Sequence, residues 1–95
     1  MNKEIIEKLR ELKPILKERY GIEEFAVFGS MARGDYKEDS DVDIAIIKAK
    51  KKDFFNRIDA IFFLEKNLNR KVDMGYYDSI RNVIKKRIDK DLIYV

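Results

Sequence analysis

The stretch FAVFGSMARGDYKEDSDVD, residues 25–43, decides the fold. Its first four residues are apolar and β-prone, and they run directly into Gly29-Ser30, which predicts a buried strand that ends in a tight turn. We expect a short helix to begin at Ser30. From Asp41 the sequence alternates Asp-Val-Asp-Ile and continues as an apolar run to Ile47, which predicts a second strand with carboxylates at its entrance.

A helix is predicted on the N-terminal side of this stretch, over Asn2–Tyr20, because apolar residues recur there every three or four positions. Gly21 is its expected end. Pro14 lies inside this helix and removes one backbone donor, so we expect a kink or a local break there rather than two separate elements.

Helices and strands also alternate on the C-terminal side. The basic run Lys48–Lys52 is followed by Asp53, a plausible N-cap for a helix that ends near Asn69. We expect the buried stripe of this helix to contain Phe54, Phe55, Ile58, Ile61, Phe62 and Leu68, with its phenylalanines in the core.

A third strand is predicted over Lys71–Tyr77 and a short final strand over Leu92–Val95. Between them, Ser79 is the expected cap of a last helix that carries Ile80, Val83, Ile84 and Ile88. The alternation predicts an α/β layer architecture, while strand order and direction stay open.

Composition narrows the chemistry that 95 residues can support. With no Cys and no His, the sequence excludes disulfides, zinc sites, thiol nucleophiles and imidazole bases. A net charge of +3 is too balanced to indicate nucleic-acid binding by the overall field, so we expect none directly. No apolar run is long enough to span a membrane, and we expect a cytoplasmic protein.

Two carboxylates stand two residues apart at the entrance of the second predicted strand. Asp41 and Asp43 therefore project from one face, with Cα atoms about 6.6 Å apart, and such oxygen pairs suit Mg²⁺ or Mn²⁺. Taken alone, this pair is more often a solvated strand entrance. The upstream Gly29-Ser30 turn can bind phosphate, because glycine admits a close approach and the hydroxyl is a donor. Together the two features describe a metal–triphosphate site.

The segment from Gly29-Ser30 through Asp41-Val42-Asp43 resembles the G-S-x10-D-x-D signature of the polymerase-β-like nucleotidyltransferases. Its Ala-Arg-Gly-Asp portion and the short chain are particularly similar to minimal nucleotidyltransferases, the MntA-type antitoxins that pair with HEPN-type ribonuclease toxins. The resemblance covers the whole chain. It implies a single minimal nucleotidyltransferase domain over 1–95, built as one small mixed sheet flanked by helices.

The resemblance also implies a third carboxylate on a later strand, and Asp73 stands in a suitable setting for it. Asp41, Asp43 and Asp73 would then be catalytic and hold two Mg²⁺ ions, with Mn²⁺ as an alternative. Gly29 and Ser30 would hold the triphosphate, and Arg33 would either contact phosphates or brace the turn by pairing with Asp35 or Asp39.

Resemblance to MntA-type proteins implies transfer of AMP from ATP to a tyrosine of a cognate HEPN-type toxin. Two other readings stay open. The acceptor could instead be an RNA or a small molecule, or the chain could be a non-catalytic nucleotide-binding partner module. The Lys48–Lys52 run is either a solvated connector or a surface for RNA or an acidic partner.

Overall fold

The computed structural model describes residues 1–95 and begins with helix α1, Lys3–Tyr20. The side chain of Asn2 caps the helix by accepting a hydrogen bond from the backbone amide of Ile5 at 3.1 Å. Gly21 ends it in the left-handed region, at φ 67°. Pro14 lies inside α1, which is one continuous element as expected, without the local break that the sequence allowed; a kink there stays a prediction.

The remaining elements alternate as expected. In chain order they are β1 Ile22–Phe28, α2 Ser30–Arg33, β2 Val42–Ala49, α3 Phe54–Leu68, β3 Val72–Tyr76, a 3-10 turn Tyr77–Ser79, α4 Asn82–Ile88 and β4 Ile93–Tyr94. The four strands form one sheet in the order β3-β2-β1-β4. Strand β1 is antiparallel to β2 and β4, whereas β2 and β3 are parallel. The prediction of an α/β fold with a small mixed sheet is confirmed.

One face of this sheet carries the hydrophobic core. A cluster of 17 buried residues joins α1 and α3 to the side chains that β1, β2 and β3 turn towards them. Leu9, Leu16 and Leu64 are fully buried in it. The opposite face is covered only in part, by α4, whose buried residue is Ile88. That less covered face is available for a site.

The prediction that Phe54, Phe55 and Phe62 of α3 lie in the core is wrong. Phe54, Phe55 and Phe62 are 61%, 77% and 63% exposed. The helix buries a row of residues four apart, namely Ala60, Leu64 and Leu68. Leu68 is buried as predicted, and Ile61, also predicted, packs against the core while partly buried. At about 100° per residue, Phe55 and Phe62 fall on the far side of the helix from that row.

The predicted start of the last helix is also wrong. Ser79 lies in the 3-10 turn, and α4 begins at Asn82 after Arg81, which makes no side-chain capping bond. Val83 and Ile84 of this helix are largely exposed. No helix in the structure combines the length and the apolar character that crossing a membrane requires.

Candidate functional site

The pairing of β2 with β3 brings two predicted site residues together. These strands are parallel, and Asp43 is the register partner of Asp73. Register partners on neighbouring strands lie about 4.8 Å apart and point to the same face. Val42 and Val72, the partners just before them, point into the core. The two carboxylates therefore share the opposite, partly open face of the sheet.

Asp41 lies one residue before β2 and is exposed. The amide of Val42 donates to the carbonyl of Lys71 at 2.9 Å, which holds the entrance of β2 beside β3. By the two-residue repeat, Asp41 belongs to the same face as Asp43. The predicted trio thus occupies one corner of the sheet.

Gly29 packs the turn after β1 directly against this corner. Its φ is 72°, which L side chains rarely adopt, and a Cβ built on it would collide with the Oδ2 atom of Asp43. Phe28 is the register partner of Asp43 across the antiparallel pair. The turn and the carboxylate are therefore fixed by neighbouring strands, and only glycine permits their contact.

Burial and charge both act on Asp43. Partial burial is the main cause that raises its pKa to about 6, and the carboxylates of Asp73 and Asp41 raise it further. Arg33 opposes the shift. The three predicted carboxylates thus interact electrostatically, and a cation between them would favour the ionised form of Asp43.

The carboxylates of Asp41, Asp43 and Asp73 suit a hard divalent cation, although their side chains are not close enough together to bind one ion jointly. All three ligands are carboxylates, the type that Mg²⁺ and Mn²⁺ prefer. Within residues 1–95, however, no three acidic side chains stand close enough together to form a complete metal cage. The backbone brings Asp43 and Asp73 side by side, and rotation of exposed side chains would have to complete the set.

A cleft of about 430 Å³ opens beside Gly29 and Asp43. Its polar lining comprises Ser30, Arg33, Asp43, Arg87 and Asp91. Ser30 and Arg33 come from α2, and Arg87 comes from α4 on the other wall. An anion in this cleft would meet a hydroxyl and two guanidinium groups next to the carboxylate corner.

Arg33 forms ion pairs with neighbouring carboxylates, which is one of the two roles that the sequence predicts for it. It contacts Asp35 and also Asp91, each at 3.3 Å. Hydrogen bonds to these carboxylates raise the pKa of its exposed guanidinium. Asp39, the other expected partner, is not among its contacts. A phosphate contact by Arg33 stays a prediction.

Arg87 and Asp91 are cleft residues that sequence reasoning missed. They lie more than 50 positions after the Gly29-Ser30 motif, in and after an amphipathic helix with many cations. Nothing in their spacing relates them to the motif. Only the packing of α4 over the sheet places them there.

Comparison with known proteins identifies a matching family, similar sequences and a similar solved structure. Residues 9–95 match the family model of the nucleotidyltransferase domain. A Methanocaldococcus jannaschii protein, provisionally named a protein adenylyltransferase, is 44% identical over 95 residues, which cover 97% of this chain and 95% of that protein. The protein adenylyltransferase MntA of Thermococcus cleftensis is 37% identical over 83 residues, with 87% and 84% covered. A crystal structure of a toxin–antitoxin with AMP-PNP superposes with a TM-score of 0.70 at 25% identity, covering 98% of this chain and 70% of that one.

Proposed function

The chain belongs to the nucleotidyltransferase family, among protein adenylyltransferases of the MntA type, and on that premise we propose that it transfers AMP from ATP to a tyrosine hydroxyl of a cognate HEPN-type ribonuclease toxin. Residues 1–95 would act as one catalytic domain in the cytoplasm. The AMP-PNP in a structurally similar toxin–antitoxin supports both a nucleotide substrate and a toxin partner.

One observation carries the chemical part of this proposal. Asp43 and Asp73 are register partners on parallel strands, and Gly29 packs against the carboxylate of Asp43. Carboxylates beside a glycine turn are what triphosphate chemistry requires, because the metal and the phosphates must bind next to each other.

Asp41, Asp43 and Asp73 would hold the metal, two Mg²⁺ ions with Mn²⁺ as an alternative. When bound, this metal would neutralise triphosphate charge and lower the pKa of the acceptor hydroxyl. Asp73 is the more exposed of the two paired carboxylates. It would also be placed to accept the proton of the hydroxyl, because a chain without histidine has few other bases.

The phosphate side of the cleft would orient ATP. The backbone at Gly29 and the hydroxyl of Ser30 would hold the β- and γ-phosphates, with Arg33 as a further contact. The α-phosphorus would then face the carboxylate corner. The tyrosine Oη forms a bond to this phosphorus, the bond from the α-phosphorus to the bridging oxygen breaks, and pyrophosphate leaves.

Intact-mass spectrometry tests this function. The purified chain is incubated with ATP, Mg²⁺ and the HEPN-type ribonuclease that the proposal expects a neighbouring gene to encode, and modified peptides are then mapped. We expect the ribonuclease to gain one or more AMP groups on tyrosine. Asp41→Asn should abolish the gain, whereas Asp39→Asn, an exposed aspartate of the same loop, should retain it.

An unmodified ribonuclease in the presence of wild-type protein would reject the proposed acceptor. Equal modification by wild type and Asp41→Asn would reject the carboxylate assignment. In a parallel mixture to which RNA is added, AMP found on the RNA with the ribonuclease unchanged would favour the nucleic-acid acceptor instead.

A further inference from the structure

We propose that the aromatic face of α3, defined as the exposed Phe54, Phe55 and Phe62 together with the half-buried Ile58, docks the acceptor protein, which would contact it through an apolar patch with an acidic rim. This inference rests on the proposed function, because it assigns the surface that brings the acceptor to the site.

The exposure of this face is unusual for so small a chain. Three of its six phenylalanines lie here, each more than 60% exposed, on one helix. Phe54 and Phe55 also contact each other edge to face, with ring centroids 5.4 Å apart. Contiguous exposed aromatic surface marks interaction sites, and aromatic residues supply much of the binding energy of protein interfaces.

The aromatic face extends from the flank of α3 that borders β3, where Phe54 and Ile58 lie, to the outer side of the helix. Arg57 donates to the carbonyl of Met74 at 2.8 Å, and Glu65 accepts from the amide of Val72 at 3.0 Å. On the helix wheel, Ile58 lies next to Glu65, and Phe62 follows on the outer side. Strand β3 is an edge of the sheet, so no further strand of the chain pairs with it on this flank.

A groove of about 500 Å³ joins the aromatic face to the candidate catalytic corner. Its lining includes Phe54 and Arg57 of α3 as well as Asp73 and Gly75 of β3. The phosphate cleft opens separately, next to Gly29. A protein held on α3 can therefore present a hydroxyl at Asp73 while the nucleotide occupies the other cleft.

The charges around the face select the partner. Lys51 and Lys52 precede Phe54, and Arg57 stacks over its ring at 5.4 Å. Lys52 pairs with Asp78 at 2.7 Å, and Lys51 has no acidic partner within 4 Å. These cations favour a partner whose apolar contact patch is surrounded by acidic side chains.

A protein with an apolar patch fits the face better than RNA does, because the three exposed phenylalanines contact apolar side chains favourably and the acidic side chains of the partner need only lie near Lys51 and Arg57. Asp59 is exposed on the outer side of α3, and Glu65 borders the face. Both carboxylates would repel a phosphate backbone lying along the helix. The apolar stripe suits a groove on a folded protein.

The test compares the double variant Phe55→Gln/Phe62→Gln with Tyr94→Gln. Tyr94 is 62% exposed and lies on β4, the opposite edge of the sheet, so it controls for the loss of an exposed aromatic ring. Titration calorimetry measures binding of the neighbouring HEPN-type ribonuclease and, separately, of ATP with Mg²⁺. Transfer of label from ATP to the ribonuclease is followed below saturation.

We expect the double variant to bind the ribonuclease at least tenfold more weakly, with its ATP affinity unchanged, because paired aromatic truncations commonly cost this much at an interface. Tyr94→Gln should match wild type in both measurements. Circular dichroism should show the same helix content in all three proteins, since the substituted side chains are exposed.

Equal ribonuclease binding by the double variant and wild type would overturn the docking proposal, even if transfer occurs. Lost binding in the double variant with no transfer by wild type would support docking and reject the proposed function. No ribonuclease binding by wild type rejects the docking proposal. Self-association or RNA binding that disappears in the double variant would assign the face to a second copy or to RNA, and also overturn it.

Discussion

Removing the charge of Asp43 should stabilise the metal-free protein while abolishing its activity. The rise of the Asp43 pKa from 3.8 to about 6 means that folding disfavours its ionised form. Each pH unit corresponds to about 1.4 kcal/mol, which sets an upper limit of about 3 kcal/mol. Because the group is only about half buried, screening by solvent reduces this to about 1 kcal/mol.

The pH dependence follows from the direction of the shift. Above the folded-state pKa of about 6, Asp43 is ionised in both states and the destabilisation is fully present. As the pH falls from about 6 towards 3.8, the folded state takes up the proton first and the destabilisation disappears. Asp43→Asn should therefore gain stability over wild type at pH 8, and the gain should vanish near pH 4.

Urea denaturation in EDTA at pH 8 and pH 4 measures this difference, with Asp39→Asn as the control for removal of an exposed aspartate. A gain of about 1 kcal/mol should raise the urea midpoint by about 0.5–1 M. Mg²⁺ at ten times its Kd should then stabilise wild type by about 1.4 kcal/mol and the variant by less. A variant less stable than wild type in EDTA at pH 8, or a gain that persists at pH 4, would refute the reasoning.

Three further substitutions probe other parts of the fold and the site. Gly29→Ala places a Cβ against the Asp43 carboxylate at a φ of 72° and a ψ of −152°, a region that is essentially restricted to glycine, and it should cost about 1–3 kcal/mol in chemical denaturation and weaken ATP binding in calorimetry. Arg33→Gln removes two exposed ion pairs, which contribute little to stability, so it should change the melting temperature only slightly and raise the Kd for ATP with Mg²⁺. An unchanged Kd would mean that Arg33 only forms these ion pairs and does not contact the nucleotide. Leu64→Ala empties a fully buried position and should cost about 2–5 kcal/mol in urea denaturation, a large share of the stability of a small domain.

The parts of the fold that sequence predicts well are those that local rules decide. Asn2 and Gly21 bound α1 through a side-chain cap and a left-handed glycine, and both signals are visible in the sequence. The strand before Gly29 and the strand after Asp41 were equally visible, because each is a short apolar run next to a turn or a polar loop.

The two wrong predictions, the buried phenylalanines of α3 and the start of α4 at Ser79, concern features that depend on tertiary packing. The phenylalanines of α3 look like core by composition, yet the sheet contacts the row that includes Ala60 and Leu64 because a small residue lets the helix approach closely. Likewise, Ser79 looks like a cap, but the chain first makes a 3-10 turn at the end of β3. Hydrophobicity alone does not indicate which apolar residues are buried in the core and which stay exposed on the surface.

The site residues likewise fall into two groups: those that a local sequence motif indicates and those that only the tertiary fold brings to the site. The G-S and D-x-D motifs are contiguous with their own strands, and the sequence therefore indicates Gly29, Asp41 and Asp43. That Asp73 lies beside Asp43 follows from the parallel register of β2 and β3, which no local pattern encodes. Arg87 enters the cleft only through the packing of α4.

Transfer of label from ATP labelled at either the α- or the γ-phosphate tests the central claim most directly. In the presence of Mg²⁺ and the neighbouring HEPN-type ribonuclease, we expect the α-label to appear on the ribonuclease and the γ-label to leave as pyrophosphate. Asp43→Asn should transfer neither. Appearance of the γ-label on the ribonuclease, or of the α-label at the same rate with Asp43→Asn, would contradict adenylyl transfer at the site formed by Gly29, Asp43 and Asp73.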